Sequence, residues 1–126
     1  MQLPPPFDTF RLEMKAGEYK DFHVSPDNPY PLKGVTYPVN YGDIKGYTGE
    51  DKHDLDIFVG ENGNIFGYFR VYRPDVDGDK ETKFYLFLTD AEEKAVFDAF
   101  ESVLLDHGRY ESIEILSEAV EKFKNK

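Results

Sequence analysis

Hydrophobic and polar residues alternate along much of this chain, and the alternation marks strands first. Phe10, Leu12 and Met14 stand against Arg11 and Glu13, the period of two expected of a half-buried strand. Gly17 marks a turn, and residues 19–24 read as a second short strand. The Ser-Pro-Asp-Asn-Pro run at 25–29 excludes helix and strand alike. Residues 35–37 are expected to be extended, because the residue before Pro38 is pushed out of the helical region. The Gly and Asp content of 42–51 predicts a further loop.

Leu55, Ile57 and Val59 form the apolar face of the next strand, so Asp54 and Asp56 project from its other face. The Asn62-Gly63 pair predicts a tight hairpin into a long strand over 65–73, and the turn at 74–80 leads to a third strand of the meander over 82–88. Thr89-Asp90-Ala91-Glu92 is a capping box. The helix it starts carries Val96, Phe100, Val103 and Leu104 on one stripe until Gly108 stops it. Residues 110–116 read as a last strand, after which Ser117 caps a short helix offering Ala119, Val120 and Phe123 to the core. These elements predict an α+β domain, a small and mostly antiparallel β-barrel with two flanking α-helices.

At 126 residues the chain suits one domain over 1–126 and can bury a core without staples. A hydrophobic share of 40% with 16% aromatics excludes a disordered composition. Cysteine is absent, so disulfide and thiolate chemistry are excluded, and a metal would need oxygen ligands or His23, His53 and His107. Residues 1–6 carry neither a basic start nor an apolar core, and no run approaches a membrane span, so the protein is expected to be soluble and cytoplasmic, with no membrane partner. A net charge of -10 without a basic patch argues against a nucleic-acid partner, whose phosphates need clustered Lys and Arg.

Chemistry concentrates in Asp51, Asp54 and Asp56. Clustered carboxylates repel one another unless an ion or protons neutralise them, and hard cations take oxygen ligands. The bland alternative is a solvated turn leading into a strand. A second acidic run, from Asp75 through Asp77 and Asp79 to Glu81, lacks the Gly and the Glu that a calcium loop needs, since Lys80 and Leu86 occupy those positions. It reads as a hairpin turn whose end places Glu81 and Lys83 on one strand face, one metal ligand beside one phosphate partner. His23 and His107 read as ordinary surface or strand residues, and Tyr47 and Tyr68 as core or rim.

The motif Tyr37-Pro38-Val39-Asn40-Tyr41-Gly42, followed by Asp51-Lys52-His53-Asp54-Leu55-Asp56, resembles the soluble (family I) inorganic pyrophosphatases, whose pattern is Tyr-Pro-x-Asn-Tyr-Gly and then Asp-x-Asp-x-x-Asp entering an apolar strand. The likeness spans roughly residues 10–105, with its specific part at 37–59. It implies a small OB-like barrel and Mg2+-dependent hydrolysis of inorganic diphosphate (pyrophosphate) or a related small phosphoanhydride, and it points to a homo-oligomer. On that resemblance Asp51 and Asp56 match magnesium-binding carboxylates, with Asp54, Glu81 and Asp77 as further candidate ligands. Tyr41, Lys20 and Lys83 are the candidate phosphate partners, and His53, Asp54 and Tyr41 the candidate catalytic residues. Glu13 stands for the family's leading glutamate.

The chain also departs from the pattern. His53 occupies the place of the carboxylate that helps to activate water, and Glu81 replaces a ligand Asp. The partner carboxylate expected five residues before Glu81 falls at Val76, between Asp75 and Asp77. The family's Arg ahead of the Tyr-Pro motif falls at Pro29, with Lys33 the nearest cation, and its late-helix Tyr-Lys pair is replaced by Phe100-Glu101-Ser102. Losing clamping cations weakens the hold on a highly charged ligand. The competing expectation is therefore a catalytically impaired, pyrophosphatase-like module that binds a protein or small ligand.

Overall fold

A central mixed sheet takes up most of the chain, in a computed structural model that describes residues 2–20 and 35–125. Its strands are β1 (Phe10–Met14), β4 (Asn40–Thr48), β5 (Asp54–Val59), β6 (Ile65–Tyr72), β7 (Lys80–Leu88) and β8 (Leu104–Arg109), and a separate small ribbon pairs β2 (Tyr19–Lys20) with β3 (Val35–Thr36). The six lie in the order β1-β4-β5-β7-β6-β8. Four ladders are antiparallel and the β5–β7 ladder is parallel. This is an α+β sheet, and among the described residues β1 and β8 stand as open edges, without the closure of a barrel.

One helix covers each face. Helix α1 (Asp90–Ala99) packs Val96 into a core with Tyr37, Val39, Phe58, Phe69 and Tyr85, and α2 (Ile113–Glu121) packs Leu116 and Val120 against Ile44, Leu55, Ile57, Phe84 and Leu86. Odd and even positions of β5, and of β7 as far as Leu86, thus feed different cores, as the pleat requires; at Phe87, with φ +60°, the alternation breaks and Leu88 joins the α1 core. The capping box is present in full: Thr89 accepts from the Glu92 amide while the Glu92 side chain accepts from the Thr89 amide. Among the described residues no helix is long and apolar enough to cross a membrane.

Several expectations need correction. Residues 42–51 are mostly strand, not loop. Gly42 is there because a Cβ would stand 1.9 Å from the Arg11 carbonyl on β1, and Gly46, at φ +92°, lies in the irregular stretch of β4 between Ile44 and Thr48. The Asn62-Gly63 pair makes no hairpin, because β7 inserts between β5 and β6 and ends the expected meander. Gly63 serves close approach instead, since a Cβ would meet the Leu88 carbonyl at 1.8 Å. The first helix stops at Ala99, and Phe100 and Val103 reach the same core from the turn that follows, which is why their spacing imitates a helical stripe. The last strand is β8 and not 110–116, because Ser112, whose hydroxyl accepts from the Ile115 amide, caps α2 earlier than Ser117 would. Val120 is buried as expected, with Ala119 and Phe123 packed against its cluster. Of the strand expected at 19–24 the structure describes Tyr19–Lys20. His23, Lys33, Pro29 and the Lys20 side chain lie outside the described residues.

Candidate functional site

On the face that α1 covers, a row of side chains crosses the whole sheet. Arg11 pairs across the ladder with Asp43, Asp43 with Asp56, Lys83 with Phe69, and Phe69 with His107. Lys83 joins the two halves, its Nζ donating to Asp56 Oδ2 at 2.7 Å and to Glu81 Oε2 at 3.2 Å. The row is ionic at the β1 end and aromatic at the other, where the His107 ring lies 4.5 Å from Phe97 of α1.

The ionic part deepens into a cluster at the start of β7. Glu81 is 2% exposed and Lys83 4%, and an unpaired charge there would cost several kcal/mol, roughly, in lost hydration. Arg73, just beyond the end of β6, donates from Nη1 to Glu81 Oε1 at 2.6 Å and stands 3.8 Å from Asp51 Oδ2. It also forks onto Asp75, with Nε to Oδ1 at 2.9 Å and Nη2 to Oδ2 at 2.7 Å. Among the described residues, the cluster sets four carboxylates, Asp51, Asp56, Asp75 and Glu81, against two cations, Arg73 and Lys83.

That excess separates the two inner acids. Burial, with Asp56 and Asp51 nearby, pushes the Glu81 carboxyl above its ordinary range despite Lys83 and Arg73. Burial also opposes ionisation of Asp56, but the Lys83 charge and hydrogen bonds from Lys83, Glu81 and Tyr41 outweigh it and hold Asp56 below the usual carboxylate range. The two inner acids thus diverge, with Asp56 the stronger and Glu81 the weaker. Tyr41 is held by stacking on Tyr37 at 5.1 Å and by Phe58 at 5.0 Å, and burial raises its hydroxyl well above the ordinary tyrosine range.

Beside the cluster opens a polar cleft of about 220 Å³ lined by Glu50, Asp51, Lys52, His53, Arg73, Asp75, Val76 and Asp77. Its wall is the turn entering β5, where the His53 amide donates to Asp51 Oδ1 at 3.0 Å and Lys52 sits at φ +68°. Of the residues expected from sequence, Asp56, Glu81, Lys83 and Tyr41 form the buried cluster, and Asp51, His53 and Asp77 face the cleft. Asp54 does not join them: Arg11 bridges it to Asp43.

Arg73 and Arg11 are the residues sequence reasoning missed. Hairpin arithmetic contained a signal for Arg73, because pairing Tyr72 with Lys80 sets the next residue beside the start of β7 and Glu81. Glu50 was also unforeseen; its carboxylate accepts from the Thr82 amide at 3.0 Å and hydroxyl at 2.7 Å, tying the cleft turn to β7.

Fold and site together define an α+β domain with a buried acid–base cluster opening to a polar cleft. The chain matches no family model, no curated protein and no solved structure.

Proposed function

We propose that this chain is a pyrophosphatase-like hydrolase that cleaves inorganic diphosphate, or a related small phosphoanhydride, with magnesium in the cytoplasm. The OB-like barrel that the resemblance implies belongs to the same proposal. The observation that carries it is the convergence of Tyr41 and Asp56, from the 37–59 motif, with Glu81 and Lys83, from the looser likeness downstream, brought from three strands into one buried cluster.

The donor chemistry suits a hard divalent cation. The cluster holds oxygen donors in excess of its own cations, four carboxylates against two, and hard cations take oxygen ligands. As the side chains stand, no group of three acidic or histidine residues among those described could hold an ion. Asp51, Asp56 and Glu81 are the residues that would hold it once they moved off Arg73 and Lys83, and bound there it would supply a water of lowered pKa and polarise a phosphoryl oxygen. The chain's own residues have these roles: Lys83 neutralises phosphate charge, Tyr41 donates a hydrogen bond, and His53 at the cleft wall accepts the proton of the attacking water.

A second reading, binding without turnover, is favoured by Asp54, which Arg11 draws away with Asp43, so that one of the motif's three carboxylates is held outside the cluster. Phosphate release and thermal melting separate the two. Release from diphosphate with magnesium supports the hydrolase. A Tm raised by magnesium and diphosphate with no release supports the binding module, and a Tm unmoved by either sinks both.

A further inference from the structure

On the pyrophosphatase-like reading above, we infer that Arg73 grips the substrate's phosphate and that Asp75 holds its place until one arrives. The motif pattern leaves this site short of clamping cations, since Phe100-Glu101-Ser102 stands where a late Tyr-Lys pair is expected, and Phe100 is a buried core residue whose ring lies 5.6 Å from Lys83 Nζ. Arg73 comes from a part of the chain that the motif does not cover. Its side chain, 16% exposed, lies between the buried acids and the cleft and lines that cleft.

Its partners differ in kind. Glu81 is buried and bonded to both Arg73 and Lys83, so it fixes one side of the guanidinium. Asp75 is 60% exposed and takes the other side through two parallel bonds, from Nε and Nη2. That fork-on-fork contact is the geometry in which a guanidinium also takes two oxygens of a phosphate. An exposed carboxylate can leave for water at little cost, whereas Glu81 cannot. A phosphate entering the cleft therefore replaces Asp75 on a guanidinium already oriented, and Lys83, bonded to the same Glu81, supplies the second positive charge.

The test is calorimetric titration of methylenediphosphonate, which cannot be hydrolysed, into the full chain in millimolar magnesium. Arg73→Gln is expected to weaken binding about tenfold or more, the effect of losing charge-assisted hydrogen bonds. Asp75→Asn, which removes the competing charge, is expected to tighten it. Wild-type binding that Arg73→Gln leaves unchanged overturns the assignment of Arg73 and leaves the proposed function standing, whereas a wild-type chain that binds no methylenediphosphonate overturns both. If Arg73→Gln does not fold, Arg73→Lys is read instead. It keeps the charge and loses the fork, so weaker binding is expected and unchanged affinity overturns the assignment. Binding weakened by Asp75→Asn overturns the role given to Asp75.

Discussion

Lys83 and Asp56 meet across the parallel ladder of the sheet at 2.7 Å, and the same ammonium reaches Glu81 at 3.2 Å. Parallel pairing of β5 with β7 is what makes this contact, since it puts Asp56 one residue before the Ile57–Phe84 pair and beside Lys83. Ion pair and topology depend on each other.

Lys83→Met keeps the length of the stem and removes the charge, leaving Asp56 and Glu81 buried without it. Breaking a buried pair in this way is expected to lower the unfolding free energy by about 3 to 5 kcal/mol. Urea unfolding at neutral pH measures it, and a loss below about 1 kcal/mol, the range of exposed pairs, would contradict the burial described here.

Glu81 sets a pH dependence with a definite sign. Its folded-state pKa is raised above the ordinary 4.5, so the stability it contributes is full below that value and is lost as pH rises through the raised one. Asp56 acts in the opposite sense: its pKa is lowered from 3.8, and its contribution is present above 3.8 and lost as pH falls through the lowered value. Glu81→Gln, which imitates the neutral carboxyl, is therefore expected to gain stability relative to wild type as pH is raised from about 5 to about 8. Tm measured across that window checks it, and parallel curves for the two proteins would contradict the shift.

Gly63→Ala tests the insertion of β7 between β5 and β6. An added methyl would meet the Leu88 carbonyl at 1.8 Å, so backbone must move. A cost of about 1 to 3 kcal/mol is expected, as for other overpacked sites. Urea unfolding measures it, and a loss below about 0.5 kcal/mol, the range of unconstrained surface changes, would contradict the close approach.

Local signals in the chain were legible where one short-range rule decided the structure. The Thr89–Glu92 capping box starts α1, and the alternation at Leu55, Ile57 and Val59 marks β5. Gly42 and Gly63 misled because their reason is another strand's backbone at close approach, which no local window contains. The residues at 96, 100, 103 and 104 share a core-facing spacing that a helix and a helix followed by a turn both satisfy. In the site, the resemblance named Asp56, Glu81 and Lys83, whereas Asp54 turns to Arg11 of β1, which it shares with Asp43 of β4. Arg73 stayed hidden because its place beside Glu81 depends on the register of the β6–β7 ladder.

Hydrolysis at the cluster around Asp56 is the reaction on which the proposed function stands. The direct measurement is initial-rate phosphate release from inorganic diphosphate in millimolar magnesium, comparing the wild-type chain, Asp56→Asn and the exposed control Glu118→Gln. Release by wild type and Glu118→Gln is expected, with a loss of about a hundredfold or more in Asp56→Asn, the scale seen when one electrostatic partner of a transition state is removed. Release that Asp56→Asn leaves intact, or no release above blank from folded wild-type protein, would contradict it.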